Sequence, residues 1–141
     1  MKLALVQLNP IIGDLDGNAE KIFEVCKEIK NKEVGLVITP ELSLIGYPPK
    51  DLLFNPRLYD EEKDVLNILS ERLNNQCQNL SVLIGIAEPT PDIEVPKLYN
   101  SVVILEQGSW RIIARKQLLP TYDVFDEKRY FRSAETVSYT H

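Results

Sequence analysis

The chain has 141 residues and a net charge of -5, with 44% hydrophobic and 26% charged side chains. A chain of this length buries roughly two thirds of the surface that it exposes when unfolded, so we expect one soluble domain with its own core. The acidic balance excludes most nucleic-acid and membrane-surface binders, which need a positive surface. The apolar runs are far shorter than the roughly 20 residues of a membrane span, and no targeting segment is recognisable, so we expect a cytoplasmic protein.

The reactive side chains are few. His141 is the last residue, and the two cysteines, Cys26 and Cys77, have no metal-ligand spacing. We therefore expect neither a histidine-activated nucleophile nor a zinc site. Two cysteines at unrelated spacing also give no disulfide framework, which agrees with a reducing compartment. We interpret Cys26 as a buried member of a helix stripe and Cys77 as an unactivated thiol.

In chain order, the first elements alternate between strand and helix. The apolar run from Lys2 to Leu8 predicts a strand buried on both faces. Apolar residues at helical spacing predict an amphipathic helix from an N-cap at Asn18 to about Lys32. The run from Val34 to Thr39 predicts a second buried strand, which Pro40 ends.

A loop follows, and a second helix is predicted to begin at Asn55 and Pro56, with Asp60, Glu61 and Glu62 near its positive end. Residues 81–87 predict a third buried strand, and a proline-containing surface segment follows it. Residues 101–105 and 110–115 predict a hairpin with Gly108 in its turn. This order predicts an α/β sheet with antiparallel strands at one side.

Charged residues at strand ends are the candidates for chemistry, because open α/β sheets build their sites there. Glu41 follows a buried strand and could act as a general base, or could instead cap a helix or pair with a surface lysine. Lys116 follows the last strand and could stabilise an oxyanion, or could be an ordinary solvated lysine. Three aromatic residues of the nearby loops could line a pocket or cover the sheet edge: Tyr47, Tyr122 and Phe125. No glycine-rich phosphate loop is present, so we expect no cofactor in this chain.

The sequence motifs around Glu41 and Lys116 resemble those of a known family. TPELSLIGYPPKDLL and RKQLLPTYDVFDEKRYF, with KLALVQLNPIIGDLDGNAEKI at the start, resemble the nitrilase-type carbon-nitrogen hydrolases, and within them the glutaminase domains of glutamine-dependent NAD synthetases. The resemblance covers residues 1 to about 131, and the sequence after Phe131 departs from the family pattern. It implies the N-terminal part of a four-layer α-β-β-α sandwich, truncated, because the whole fold needs on the order of 250 residues.

The resemblance also implies the chemistry, which is amide hydrolysis by a Glu, Lys, Cys triad. In this sequence Glu41 would be the general base, Lys116 would stabilise the tetrahedral intermediate, and Glu127 would support the lysine. Tyr47, Tyr122 and Phe125 would line the glutamine pocket and the ammonia exit. The family's cysteine follows the lysine by some tens of residues, so we expect residues 1–141 to be a partial glutaminase domain that is inactive alone.

The whole enzyme of this family branch would be a homo-oligomer. It passes ammonia to a second domain, which uses ATP and magnesium to amidate nicotinic acid adenine dinucleotide. Two alternatives stay open for this chain. One is a non-catalytic remnant that associates through an uncovered apolar sheet face, and the other is part of an amidase that acts on a small free amide.

Overall fold

A computed structural model describes residues 2–90 and 98–116 of the chain. The elements are β1 (Lys2–Leu5), α1 (Leu15–Ile29), β2 (Val34–Ile38), a 3-10 turn (Lys50–Phe54), α2 (Leu58–Gln76), β3 (Ser81–Pro89), β4 (Leu98–Glu106) and β5 (Ser109–Arg115). The strands form one sheet in chain order, in which β1, β2 and β3 are parallel and β4 and β5 are antiparallel. The predicted α/β sheet with a closing antiparallel hairpin is confirmed.

The core lies between one face of this sheet and the two helices, which also pack on each other. It includes the fully buried Ile22 of α1, Leu66 of α2, Ile84 of β3 and Val103 of β4. Side chains alternate between the two faces of a strand, so every second residue of β3 and β4 points away from the helices. None of the helices in the described ranges is long and apolar enough to cross a bilayer.

β1 differs from its prediction, because it is shorter and is not buried on both faces. It is the edge strand of the sheet, and Leu3 and Leu5 are 57% and 79% exposed while Ala4 packs against the core. The apolar run predicted burial, but helices cover only one face of the described sheet. In the described ranges no helix packs on the opposite face, which is largely apolar, and the association alternative assumes such a face.

The start of α1 also differs from its prediction. Asp14 is the N-cap, and its side chain accepts a hydrogen bond from the Gly17 amide. Asn18 is buried inside the helix, where its amide group contacts the backbone of Ile11 at 2.8 Å and the Leu44 carbonyl at 2.9 Å. Asn18 therefore does not cap α1. Its side chain instead satisfies backbone groups of the loops after β1 and β2 and holds both loops against α1.

The start of α2 shows a similar difference. Its N-cap is Arg57 with no side-chain cap, while Asn55 ends the preceding 3-10 turn and accepts a hydrogen bond from the Arg57 amide. Asp60 and Glu61 lie in the first turn of α2, as predicted. Glu62 instead points into the core and is 0% exposed. One of its oxygens accepts a hydrogen bond from the Ala87 amide of β3 at 3.0 Å, and the other has no hydrogen-bond partner among the described residues.

Burial raises the pKa of Glu62 well above its ordinary value of 4.5, and the Ala87 amide only partly opposes this rise. Between the unfolded and the folded pKa, the folded state therefore binds more protons than the unfolded state. The contribution of Glu62 to stability is complete below the unfolded pKa and is lost as the pH rises toward the folded pKa, by up to about 1.4 kcal/mol per pH unit.

We expect Glu62→Gln, which keeps an acceptor for the Ala87 amide and cannot ionise, to be more stable than the wild type at pH 8. The difference should shrink toward pH 4. Urea unfolding at a series of pH values measures it, and Glu61→Gln is the exposed control from the same helical turn. Parallel pH curves for the wild type and Glu62→Gln would contradict the prediction.

Candidate active site

The ends of four strands meet at one edge of the sheet. β2 and β3 are parallel, so Ile38 and Pro89 both end at this edge, and antiparallel pairing brings the start of β4 and the end of β5 to the same place. Glu41 follows β2 by three residues, and Lys116 follows β5 directly. The topology therefore brings together the two charged residues that the sequence singled out, although they are 75 residues apart.

The loop that carries Glu41 is fixed by contacts with β3. The Thr39 amide and hydroxyl both donate to the Leu83 carbonyl, and the Thr39 hydroxyl also contacts the Ser43 hydroxyl at 2.6 Å. The loop then passes directly over Gly85, where an added Cβ would lie 2.5 Å from the backbone nitrogen of Leu42. A side chain cannot occupy this position without moving the loop, so the glycine permits the close approach.

The position of Lys116 depends on an irregularity in β5. Ser101 is opposite Arg115 and Val102 is opposite Ala114, but Val103 is opposite Ile112, so Ile113 is an extra residue in β5. Such a β-bulge shifts the register of the following residues by one. Lys116 continues the pairing, and its amide donates to the Asn100 carbonyl at 2.8 Å. Its side chain therefore lies on the sheet face that is not covered by the helices.

On this face the two charged groups form a direct ion pair. The Nζ of Lys116 lies 2.7 Å from the Oε1 of Glu41, and the side chains are 31% and 41% exposed. The amide Nδ2 of Asn100, on β4, donates to the same Oε1 at 2.7 Å. A carboxylate next to an ammonium group can accept a proton, and the ammonium can stabilise a negative oxygen, so the pair is suited to general base and oxyanion chemistry.

The pair lies at the wall of a cavity of about 410 Å³ on the uncovered face. Most of the remaining lining is apolar and comes from β2, β3, β4 and β5: Ile38, Leu83, Gly85, Val102 and Ala114. An apolar cavity with a few convergent polar groups is the usual form of a small-molecule site. Among the residues that the structure describes, no group of three or more His, Cys, Asp or Glu side chains could hold a metal ion.

Sequence reasoning missed Asn100, which the structure places beside Glu41. The sequence pattern predicts a strand that begins at Ser101, which excludes Asn100, whereas β4 begins at Leu98. A single amide side chain at the start of an apolar strand was the signal that could have found it.

The other predicted site residues are not part of the described cavity. Tyr47 is half-buried and packs against the core, and it does not line the cavity around Glu41 in the described ranges. Three further candidates lie outside the described residues: Tyr122, Phe125 and Glu127. The predicted surface segment after β3 lies partly outside them too, at 91–97.

Neither cysteine resembles a nucleophile. Cys26 is fully buried in the core, and burial raises the pKa of its thiol to about 12. Cys77 is also buried, at the end of α2, and burial raises its thiol pKa. A reactive cysteine needs the thiolate form and access to its substrate, and both thiols lack these properties.

Comparison with known proteins identifies the family. A family model described as carbon-nitrogen hydrolase matches residues 2–140 of this chain. The chain belongs to the carbon-nitrogen hydrolase family. The matched range extends past Phe131, so the tail that we expected to depart from the family falls inside the match.

Individual members of the carbon-nitrogen hydrolase family place the chain more narrowly. It is 44% identical over 140 residues to a glutamine-dependent NAD(+) synthetase of Synechocystis, and the match covers 97% of this chain and 25% of the relative. A solved glutamine-dependent NAD+ synthetase of Acinetobacter baumannii superposes with a TM-score of 0.80 at 35% identity, over 95% of this chain and 24% of that one. The chain therefore corresponds to the N-terminal glutaminase-type region of these synthetases and spans about a quarter of their length.

A more distant carbon-nitrogen hydrolase shows the fold alone. An amidase of the nitrilase superfamily from Nesterenkonia superposes with a TM-score of 0.74 at 18% identity, over 95% of this chain and 48% of the amidase. The predicted nitrilase-type fold is confirmed, and this chain forms only part of it.

Replacing Gly85 tests how the loop of Glu41 is held. We expect Gly85→Ala to lower the free energy of unfolding by about 1–3 kcal/mol and to separate Glu41 from Asn100, because the new methyl group displaces the Leu42 backbone. The NMR signal of the Asn100 side-chain amide should report the separation. Gly108→Ala, which strains a turn residue with φ +82° at the other end of the sheet, is the control. It should destabilise the chain and leave that signal in place.

Thiol alkylation tests the assignment of the cysteines. At pH 8 the raised pKa leaves the thiolate fraction of Cys26 roughly a thousandfold below that of an ordinary thiol. We expect iodoacetamide to modify Cys26 and Cys77 far more slowly in the native chain than in denaturing urea, as measured by peptide mass spectrometry. Rapid labelling of either thiol in the native chain would restore it as a candidate nucleophile.

Proposed function

We propose that this chain supplies the general base and the oxyanion-stabilising cation of a glutamine-hydrolysing site that provides ammonia for NAD synthesis. The contact between Glu41 and Lys116 carries the proposal, because it joins a base and a cation at the edge of an apolar cavity in a carbon-nitrogen hydrolase fold. The similarity to glutamine-dependent NAD synthetases supports glutamine as the substrate.

In this proposal Glu41 accepts the proton of an incoming thiol, which then attacks the carbonyl carbon of the glutamine amide. The Lys116 ammonium stabilises the negative oxygen of the tetrahedral intermediate. Protonated Glu41 returns its proton to the leaving nitrogen, so that ammonia departs and a thioester remains. Water then cleaves the thioester, with Glu41 again acting as the base. The family resemblance implies that the thiol comes from a later cysteine. Cys26 and Cys77 are both buried, so we expect the chain alone to be inactive.

The remaining features of the proposal rest on the family resemblance of the sequence. Glu127 supports Lys116, and Tyr47, Tyr122 and Phe125 line the glutamine pocket and ammonia exit of the complete domain. ATP and magnesium act in a separate synthetase domain and have no role in this chain. The complete enzyme is a cytoplasmic homo-oligomer with no nucleic-acid or membrane partner.

An amidase acting on a small free amide is the second candidate. The superposition with the Nesterenkonia amidase favours it only at the level of the fold, since the identity is 18%. The two candidates differ in whether ammonia release is coupled to NAD synthesis.

A chimeric enzyme tests the proposal and separates the two candidates. The matching region of the Synechocystis synthetase is replaced by this chain, and NAD formation is measured with glutamine or with ammonium chloride as the nitrogen source. We expect both sources to support NAD formation. Glu41→Gln and Lys116→Met should each lower the glutamine-dependent rate by about 10²-fold or more and leave the ammonium-dependent rate unchanged.

Glu28→Gln and Lys32→Met, on the exposed side of α1 and beyond its end, are the matched controls and should preserve both rates. The isolated chain should release no ammonia from glutamine. A chimera that forms NAD from ammonium but not from glutamine would contradict the proposal, as would an isolated chain with an enzyme-like glutaminase rate.

A further inference from the structure

Asn100 contacts both members of the charged pair. Its side-chain amide donates to the Oε1 of Glu41, and its backbone carbonyl accepts a hydrogen bond from the Lys116 amide. It lies on β4 between two neighbouring strands and is 5% exposed. Asn100 thus connects the end of β5, which precedes Lys116, to the loop that carries Glu41.

The ion pair alone would hold the carboxylate weakly. Both charged side chains are partly exposed, and salt bridges of exposed groups are screened by solvent and lose rotamer freedom when they form. The Asn100 amide differs because its side chain is short, buried and attached to a central strand. A hydrogen bond from such a donor to a carboxylate is directional and stronger than one between neutral groups.

The two bonds to Glu41 also distinguish its oxygens. Among the described residues, Lys116 and Asn100 both bond to Oε1. An oxygen that already accepts from an ammonium and an amide is the poorer proton acceptor of the two. Oε2 is therefore the oxygen available for proton transfer. A neutral amide achieves this orientation without a second positive charge, which would make the carboxylate a weaker base.

We propose that Asn100 is a positioning residue, which holds Oε1 of Glu41 toward Lys116 and thereby presents Oε2 as the proton-accepting oxygen. The catalytic part of this statement rests on the proposed function. The positioning part concerns only the geometry of the described residues, so it can be tested on the 141-residue chain without any catalytic assay.

Lysine reactivity measures the positioning directly. The native chain is trace-labelled with acetic anhydride, and the labelling of Lys116 is compared with that of Lys63 by peptide mass spectrometry. We expect Asn100→Ala, which keeps the backbone carbonyl, to raise the relative labelling of Lys116 about three- to tenfold, because a loosened carboxylate holds the ammonium less well. In a Glu41→Ala background the further change Asn100→Ala should have no effect, since Asn100 acts through Glu41.

Ser101→Ala is the matched control. Ser101 is the next residue of β4, but its hydroxyl donates to Glu88 on the face covered by the helices. Its loss should destabilise the same strand and leave the labelling of Lys116 unchanged. Equal effects of Ser101→Ala and Asn100→Ala, or an effect of Asn100→Ala that persists without Glu41, would overturn the positioning role.

The chimeric enzyme then tests the catalytic consequence. Asn100→Ala should lower kcat with glutamine about tenfold and change KM less than twofold. Asn100→Asp should be impaired at pH 8 and recover toward pH 5, because only the protonated form of the introduced carboxyl can donate to Glu41.

If labelling behaves as expected but no variant hydrolyses glutamine, the proposed function fails and the positioning role stands. If glutamine hydrolysis is unaffected by Asn100→Ala, Asn100 has no catalytic consequence and the proposal is overturned.

Discussion

The site depends on one extra residue in β5. With a regular ladder, the pairing of Val103 with Ile112 would continue so that Arg115 stood opposite Asn100, and every following side chain would change faces. The bulge at Ile113 instead turns Arg115 toward the helices and Lys116 toward Glu41. The identity of the cation at the site is thus decided by strand register, and the two adjacent basic residues have different surroundings because of it.

These two surroundings are both polar clusters, one on each face of the sheet. On the helix face, Arg115 pairs with the buried Glu88, and Glu88 also accepts a hydrogen bond from Ser101. On the other face, Lys116 pairs with a partly exposed carboxylate at a cavity. The guanidinium remains charged under all ordinary conditions and suits a permanent buried pair, whereas the lysine and glutamate remain accessible to a small molecule. The sheet separates a structural ion pair from one that is suited to chemistry.

The sequence was sufficient for the order of the elements and for the two charged residues of the site, because both follow from local patterns. Apolar runs and helical spacing located the strands and helices, and Glu41 and Lys116 lie within three residues of the ends of apolar strands. The missed features all depend on long-range packing. Asn18 resembled a cap and Glu62 one of the acids at a helix start, but each is buried and contacts distant backbone groups. The exposure of Leu5 depends on which sheet face the helices cover, and the register of β5 depends on which of its residues is unpaired. Local sequence patterns carry information on neither.

The sequence separations within the site have a consequence for how it forms. Glu41 is 59 residues from Asn100 and 75 residues from Lys116, so closing these contacts requires long loops to be ordered first. Contacts of this kind belong to the slow steps of folding, and none of them can exist in a chain with only local helices and hairpins formed. The central strand β3 and the register of β4 with β5 must already be in place. The pair of charges therefore reports that β2, β3, β4 and β5 have assembled in their native register.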